Sequence, residues 1–287
     1  MKPNVPYHLA RLEGKITRWL YQRALSRIAR RQIRIPRDVP FEVYAYSGEN
    51  TLPEQVASIR SFLANVGRPK SFIVLSDGSY TRQSIELLQG IDHVVQVRQT
   101  PPSLPSSLPE KLREYLATHG TGKQLALIMS LPADGPALYT DSDVLFFPGA
   151  SELLNLKPRD SSPAFYLADH RFSGDERLLL SETEKDRPAN TGFLFLFRKL
   201  DWSLGLNRFL KLEAAPIFFT NQTIAHLCLH ANGAVPFDPE KFILQADDEF
   251  GYADHYANGA LAIRHYVNPI RHKFWAALGH QMLRGSL

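Results

Sequence analysis

The chain has 287 residues, 44% of them hydrophobic and 22% charged, and a formal net charge of +4. That is enough chain for one large core with at most a small appendage, and no apolar run approaches the length of a membrane span. Much of the positive excess sits in the first forty residues, so a surface devoted to nucleic acid is not implied, while phosphate-bearing substrates suit the mild balance.

The first element in chain order is basic. Arg11, Lys15, Arg18, Arg23, Arg27, Arg30, Arg31, Arg34 and Arg37 are interspersed with Leu9, Leu12, Ile16, Trp19, Leu20 and Ile28. Apolar residues recurring every three to four positions predict an amphipathic helix over residues 1–39, stopped by Pro36 and Pro40. The commoner arrangement packs its apolar side on the domain and leaves the basic side solvated. The alternative is peripheral contact with an anionic membrane surface at the inner membrane face.

From Phe41 onward, strands alternate with helices. Residues 41–46, 71–76 and 94–97 read as strands, and 53–64, 84–88, 111–118 and 123–131 as helices, with a Pro/Ser-rich loop over 101–109. This alternation predicts an α/β fold, a three-layer and mostly parallel sheet occupying 40–287 as one domain. Cys228 is the single cysteine, so no intrachain disulfide framework exists and a reducing compartment is expected. It lies in the apolar helical pattern of 223–229 and reads as a small buried residue rather than a nucleophile. The N-terminus lacks a secretory h-region, and the expectation is a soluble, cytoplasmic protein.

One strand runs straight into two acids, Ala137-Leu138-Tyr139-Thr140-Asp141-Ser142-Asp143-Val144-Leu145-Phe146-Phe147. Burying unpaired carboxylates is costly, so buried ones are paired or bind a metal. In an extended segment Asp141 and Asp143 point to one face. Two hard oxygen ligands there predict a divalent-cation site, favoured over a turn-capping role. Ligands of such sheets sit beyond the strands' carboxyl ends, where this pair lies. Further on, 164–168 is a strand leading to Asp169. Residues 173–188 are polar and read as a mobile loop able to close on a ligand. Asn190-Thr191-Gly192 precedes a buried strand, 193–197. Asn221 is a candidate N-cap of the next helix. Asp247-Asp248-Glu249 reads as a solvated acidic turn rather than a second metal site.

Four of these elements, in order, resemble those of GT-A glycosyltransferases, most closely glycosyltransferase family 8. They are Tyr139-Thr140-Asp141-Ser142-Asp143, like the family's DxD; Asn190-Thr191-Gly192-Phe193; Asn221-Gln222, where the family has Asp-Gln; and His265 to Trp275, similar to its terminal H-x-x-G-x-x-K-P-W. The last departs in detail: it is two residues longer between His265 and Lys273, Asn268-Pro269 stands near the usual Gly, and Phe274 replaces Pro. Ser47-Gly48-Glu49-Asn50 also lacks the acid and Tyr that contact the donor base.

The resemblance implies a three-layer, Rossmann-like GT-A (nucleotide-diphospho-sugar transferase) fold and a metal-dependent, retaining hexosyltransferase. Its donor would be a nucleotide sugar, a UDP-sugar, and its acceptor a glycan or lipid-linked saccharide. Asp141, Asp143 and His265 would hold the metal, Mn²⁺ in preference to Mg²⁺ because one ligand is nitrogen. Lys123, Asp141, Asp143 and Lys273 would contact the donor, Lys273 as a point charge on the departing phosphate. Gln222, Asp169 and Asn190 would orient the sugar in the catalytic position. A sugar-phosphate nucleotidyltransferase is a rival on the same kind of sheet, but no Gly-rich phosphate loop follows the first strand. A non-catalytic nucleotide-sugar- or carbohydrate-binding relative is the other rival.

Overall fold

A computed structural model describes residues 4–102, 104–132, 135–157, 162–247 and 261–283. Asp248 and Glu249 of the acidic turn lie outside the described residues.

The helices are α1 (Val5–Arg23), α2 (Leu25–Arg30), α3 (Leu52–Asn65), α4 (Arg82–Gln89), α5 (Glu110–Thr118), α6 (Gly120–Met129), α7 (Ser203–Lys211), α8 (Thr220–Ala231) and α9 (Arg271–Leu283). The strands are β1 (Glu42–Ser47), β2 (Phe72–Ser76), β3 (Val95–Arg98), β4 (Ala137–Thr140), β5 (Val144–Phe146), β6 (Ala164–Ala168), β7 (Ala189–Leu196), β8 (Val235–Pro236), β9 (Phe242–Ile243) and β10 (Ile263–His265). Seven strands form the central sheet in the order β3-β2-β1-β4-β7-β6-β8. All neighbouring pairs are parallel except those of β7, which runs antiparallel between β4 and β6.

Successive side chains of these strands feed two cores, which is what makes the fold three-layered. Leu138, Phe193 and Phe195 point to the side of α3, where Phe62 packs edge-on against Phe72 and Phe146. Tyr139, Leu194 and Leu196 point to the side of α6 and α8, where Leu125, Ile128, Ile224 and Cys228 close the second core. Fully buried strands of this kind read as continuous apolar runs, which is why their positions were plain in the sequence.

The apolar run 137–147 is not one strand. β4 ends at Thr140, Asp141-Ser142-Asp143 turns, and β5 joins a separate three-stranded sheet, β5-β10-β9. Shared parity in an extended segment therefore does not bring the two acids together. Burying two carboxylates within the sheet's apolar layer would be costly, and the chain turns there instead.

Ahead of the sheet, α1 packs on α9, and α2 packs on α3. The face that α1 turns inward is its small one, with Ala10, Gly14 and Tyr21 buried. A Cβ on Gly14 would lie 2.6 Å from the His272 carbonyl oxygen, so only glycine permits this approach. The apolar stripe of α1 faces outward, opposite to the commoner arrangement expected for such a helix.

Candidate metal site and adjoining cleft

The turn after β4 delivers its acids to the edge of the sheet where β4 and β6 end and the antiparallel β7 begins. Asp141 is anchored there by its backbone N–H to the Gly192 carbonyl, at 2.8 Å. The small sheet supplies the third group. β10 pairs with β5 so that His265 stands opposite Val144, directly after Asp143. The Tyr266 N–H closes the arrangement on the Asp143 carbonyl at 2.9 Å.

The side chains of Asp141, Asp143 and His265 converge, one ligand atom of each lying within 4.8 Å of the others. His265 Nε2 is 3.0 Å from Asp143 Oδ1 and 3.7 Å from Asp141 Oδ2. Arg271, at the start of α9, donates from its guanidinium to Asp143 Oδ2. Burial pushes the Asp143 carboxyl up, but His265 and Arg271 outweigh it and hold it at about 2. Burial dominates at Asp141, which is raised despite His265. Burial lowers His265, yet the two acids more than reverse this and raise it above the ordinary histidine value. His265 and Arg271 thus compensate the charge of Asp143, as burial requires, while Asp141 is left short of positive charge.

The donor set fits a divalent ion: two carboxylates and one imidazole nitrogen, converging, with mixed oxygen and nitrogen character. Gly192 supports that fit. A Cβ there would sit 2.2 Å from His265 Cε1 and 2.8 Å from Asp141 Oδ2, so the space beside both groups exists only because the residue is glycine.

Asp141 is held by Tyr139 of β4 and by Gln124 of α6, a residue that carries no motif in the sequence. Tyr139 donates its hydroxyl to Asp141 Oδ1 at 2.8 Å and Gln124 donates its amide there at 3.0 Å. Asn221 in turn donates to Gln124 Oε1 at 2.9 Å. Asn221 lies within the first turn of α8 rather than at its N-cap, which is Phe219.

These groups open onto a cleft of about 280 Å³. Its other wall carries Asp169, Asn190 and Gln222. Asn190 donates toward Asp169 at 3.5 Å and toward Gln222 Oε1 at 3.4 Å, and its own Oδ1 accepts from the Gly192 N–H at 2.8 Å. Gln222 is fixed from the far side by donating to the Ser173 carbonyl at 2.6 Å. The segment 173–188, expected to be a mobile loop, is tied down: Asp175 is buried and bonds Arg177 and the Thr220 hydroxyl, each at 2.7 Å.

Lys123 and Lys273 do not line the cleft. Lys123 Nζ is 3.4 Å from the Asp77 carbonyl, and Lys273 is 1% exposed, inside the first turn of α9. The basic residue of that turn that does line it is Arg271. The sequence offered one signal for it, the cluster of His, Arg and Lys from 264 to 273. Choosing among them takes the helix phase, since residues two apart face different sides.

No protein-family model and no curated protein matches the sequence. Solved structures do match. The galactosyltransferase LgtC, in complex with donor and acceptor sugar analogues, aligns at 13% identity and a TM-score of 0.54, covering 86% of this chain and 100% of that one. The bifunctional glycosyltransferase WbbM aligns at 13% identity and 0.55, over 86% of this chain and 50% of that one. Mouse xyloside xylosyltransferase 1 aligns at 12% identity and 0.50, over 82% and 99%. Identity at this level carries the architecture and not the reaction. The central sheet, its flanking helices and the acid pair at the edge of the sheet therefore establish that this chain has the GT-A fold, the architecture of these glycosyltransferases.

Proposed function

We propose that the protein is a metal-dependent glycosyltransferase that takes a hexose from a UDP-sugar and passes it, with retention of configuration, to a saccharide acceptor. The observation that carries this reading is the Asp141–Asp143–His265 cluster on the wall of a cleft at the sheet's edge. In the reaction the bond between the sugar's anomeric carbon and the diphosphate breaks, and the nucleoside diphosphate leaves with the electron pair. The acceptor hydroxyl oxygen forms the new bond to the anomeric carbon, and its proton passes to the departing diphosphate. A divalent ion held by Asp141, Asp143 and His265, Mn²⁺ by the nitrogen in its donor set, would supply positive charge where the leaving group becomes more negative.

The chain's own residues do the rest. Arg271 lines the cleft beside Asp143, to which it donates, and would bring a positive charge to a phosphate bound there. Asp169, Asn190 and Gln222 form a linked polar wall that suits the hydroxyls of a hexose and fixes its orientation. Phe218 and Phe219 line the rim, Phe218 being 70% exposed, and offer an apolar platform for the acceptor. Lys123 and Lys273, whose side chains do not line the cleft, would act on the donor only through groups that do.

The test is turnover of a panel of UDP-sugars with Mn²⁺, Mg²⁺ or chelator. The expected result is metal-dependent release of UDP that Asp141→Asn reduces by at least about a hundredfold, the scale of losing a positioned charge in a transition state. Pyrophosphate release from a nucleoside triphosphate and a sugar phosphate would point to a nucleotidyltransferase instead. Tight nucleotide-sugar binding without turnover on any acceptor would point to a non-catalytic relative.

A further inference from the structure

Helix α1 leaves a long apolar stripe in solvent. Val5, Leu9, Leu12, Ile16, Trp19 and Leu20 are each between 49% and 55% exposed. Their spacing puts them on one side of a helix of 3.6 residues per turn, away from the buried Ala10, Gly14 and Tyr21. Scattered apolar residues on a surface are ordinary, but a continuous stripe marks something that covers it.

The border of the stripe says what that is. Arg11 and Lys15 edge it along α1, and the Arg23 guanidinium lies over the Trp19 ring at 3.9 Å. Exposed Arg27 and Arg30 continue the charge onto α2. An apolar stripe with Trp on it and arginine and lysine along its edge matches the interface of an anionic bilayer, where the apolar side enters the acyl boundary and the cations meet phosphate. A second copy of the chain is a poorer occupant. A twofold pairing would set the same patch against itself and bring basic edge to basic edge. The helix lies on the surface rather than across it, since no described helix is long and apolar enough to span.

The position of the stripe links it to the cleft. Arg11, Lys15 and Arg18 line a cavity of about 410 Å³ between α1 and the start of α9. Asn268, Pro269 and Arg271 line both this cavity and the metal cleft. We infer that α1 seats the protein on an anionic lipid leaflet, its apolar stripe inserted and its basic edge on the headgroups, with the cleft opening beside that surface. This inference stands on the surface of α1 and not on the reaction assigned to the cleft.

The experiment is co-sedimentation of the full chain with phosphatidylcholine vesicles, with and without phosphatidylglycerol, alongside tryptophan emission. Binding to the anionic vesicles, weakened by salt, with a blue shift from Trp19, is the expected result. Leu12→Asp with Ile16→Asp, on the exposed face, should cut partitioning by about tenfold or more, and Arg11→Glu with Lys15→Glu should remove the preference for anionic lipid. Equal partitioning into neutral and anionic vesicles overturns the inference. So does binding unchanged by the apolar variants, or a lipid-indifferent dimer that those variants convert to monomer. Release of UDP from soluble donor, measured on the same samples, reads the cleft separately. Its loss leaves the lipid result standing, and the converse holds.

Discussion

At Gly192 the candidate metal site depends on the absence of a side chain. The strand carrying Asn190 and Gly192 passes so close to the acid pair that one methyl group would collide with His265 and Asp141. Gly192→Ala is therefore expected to weaken Mn²⁺ binding by about ten- to a hundredfold, the scale seen when groups that orient ligands are disturbed, with far-UV circular dichroism preserved. Unchanged affinity, measured by titration calorimetry, would show that the pocket beside His265 is not where the ion sits.

His226 gives a second prediction at this scale. It is 2% exposed, its Nδ1 accepts from the Ala189 N–H at 3.2 Å, and its Nε2 lies 2.6 Å from the Glu184 carbonyl, so Nε2 carries the proton. Burial holds its pKa below the ordinary value. The folded state then binds fewer protons than the unfolded one below about pH 6.5. The stabilisation is complete above that pH and is lost as the pH falls toward the folded value, at no more than about 1.4 kcal/mol per pH unit. Thermal unfolding between pH 7.5 and 5.5, compared with His226→Gln, should show the steeper acid loss in the parent chain. Parallel profiles would contradict this.

Among the elements, β2 was legible because it is buried on both faces and reads as an apolar block, and the edge strand β3 because Val95 and Val97 alternate with exposed Gln96 and Arg98. The break inside 137–147 was not, because the next strand pairs with β10, more than a hundred residues away in sequence. β8 and β9 are two residues long and carry no periodicity to detect. For α1 the sequence established an apolar stripe but not its direction. Which face packs was decided by Gly14 and Ala10, whose size lets the backbone approach α9. The Arg18–Glu54 pair, at 2.6 and 3.1 Å, and the Arg18 bond to the Asn50 carbonyl at 2.8 Å then tie α1 to α3 and its preceding turn. Glu54 is almost wholly buried, so Arg18→Gln strands a carboxylate and should lower stability by about 1–3 kcal/mol. Chemical denaturation checks the cost, and faster amide exchange along α1 should accompany it.

For the molecule as a whole, the residues named from the sequence take different places relative to the cleft. Asp169, Asn190 and Gln222, which come from separate stretches of sequence, meet at the cleft, linked through Asn190. Asp141, Asp143 and His265 meet there too. Lys123 and Lys273 fall elsewhere, and Arg271 stands where a phosphate-binding cation would be useful. Tertiary geometry selects one basic residue from a cluster whose composition alone makes them equivalent. Arg271→Ala should raise the KM for donor more than it lowers kcat if the guanidinium binds the diphosphate equally before and during transfer.

Calorimetric titration of UDP into the protein, with Mn²⁺ and then with chelator, bears most directly on the metal as the bridge between protein and donor. Saturable binding in Mn²⁺ that chelator removes, and that Asp141→Asn removes as well, is the expected result. Binding of equal strength in chelator, or binding untouched by that substitution, would contradict it.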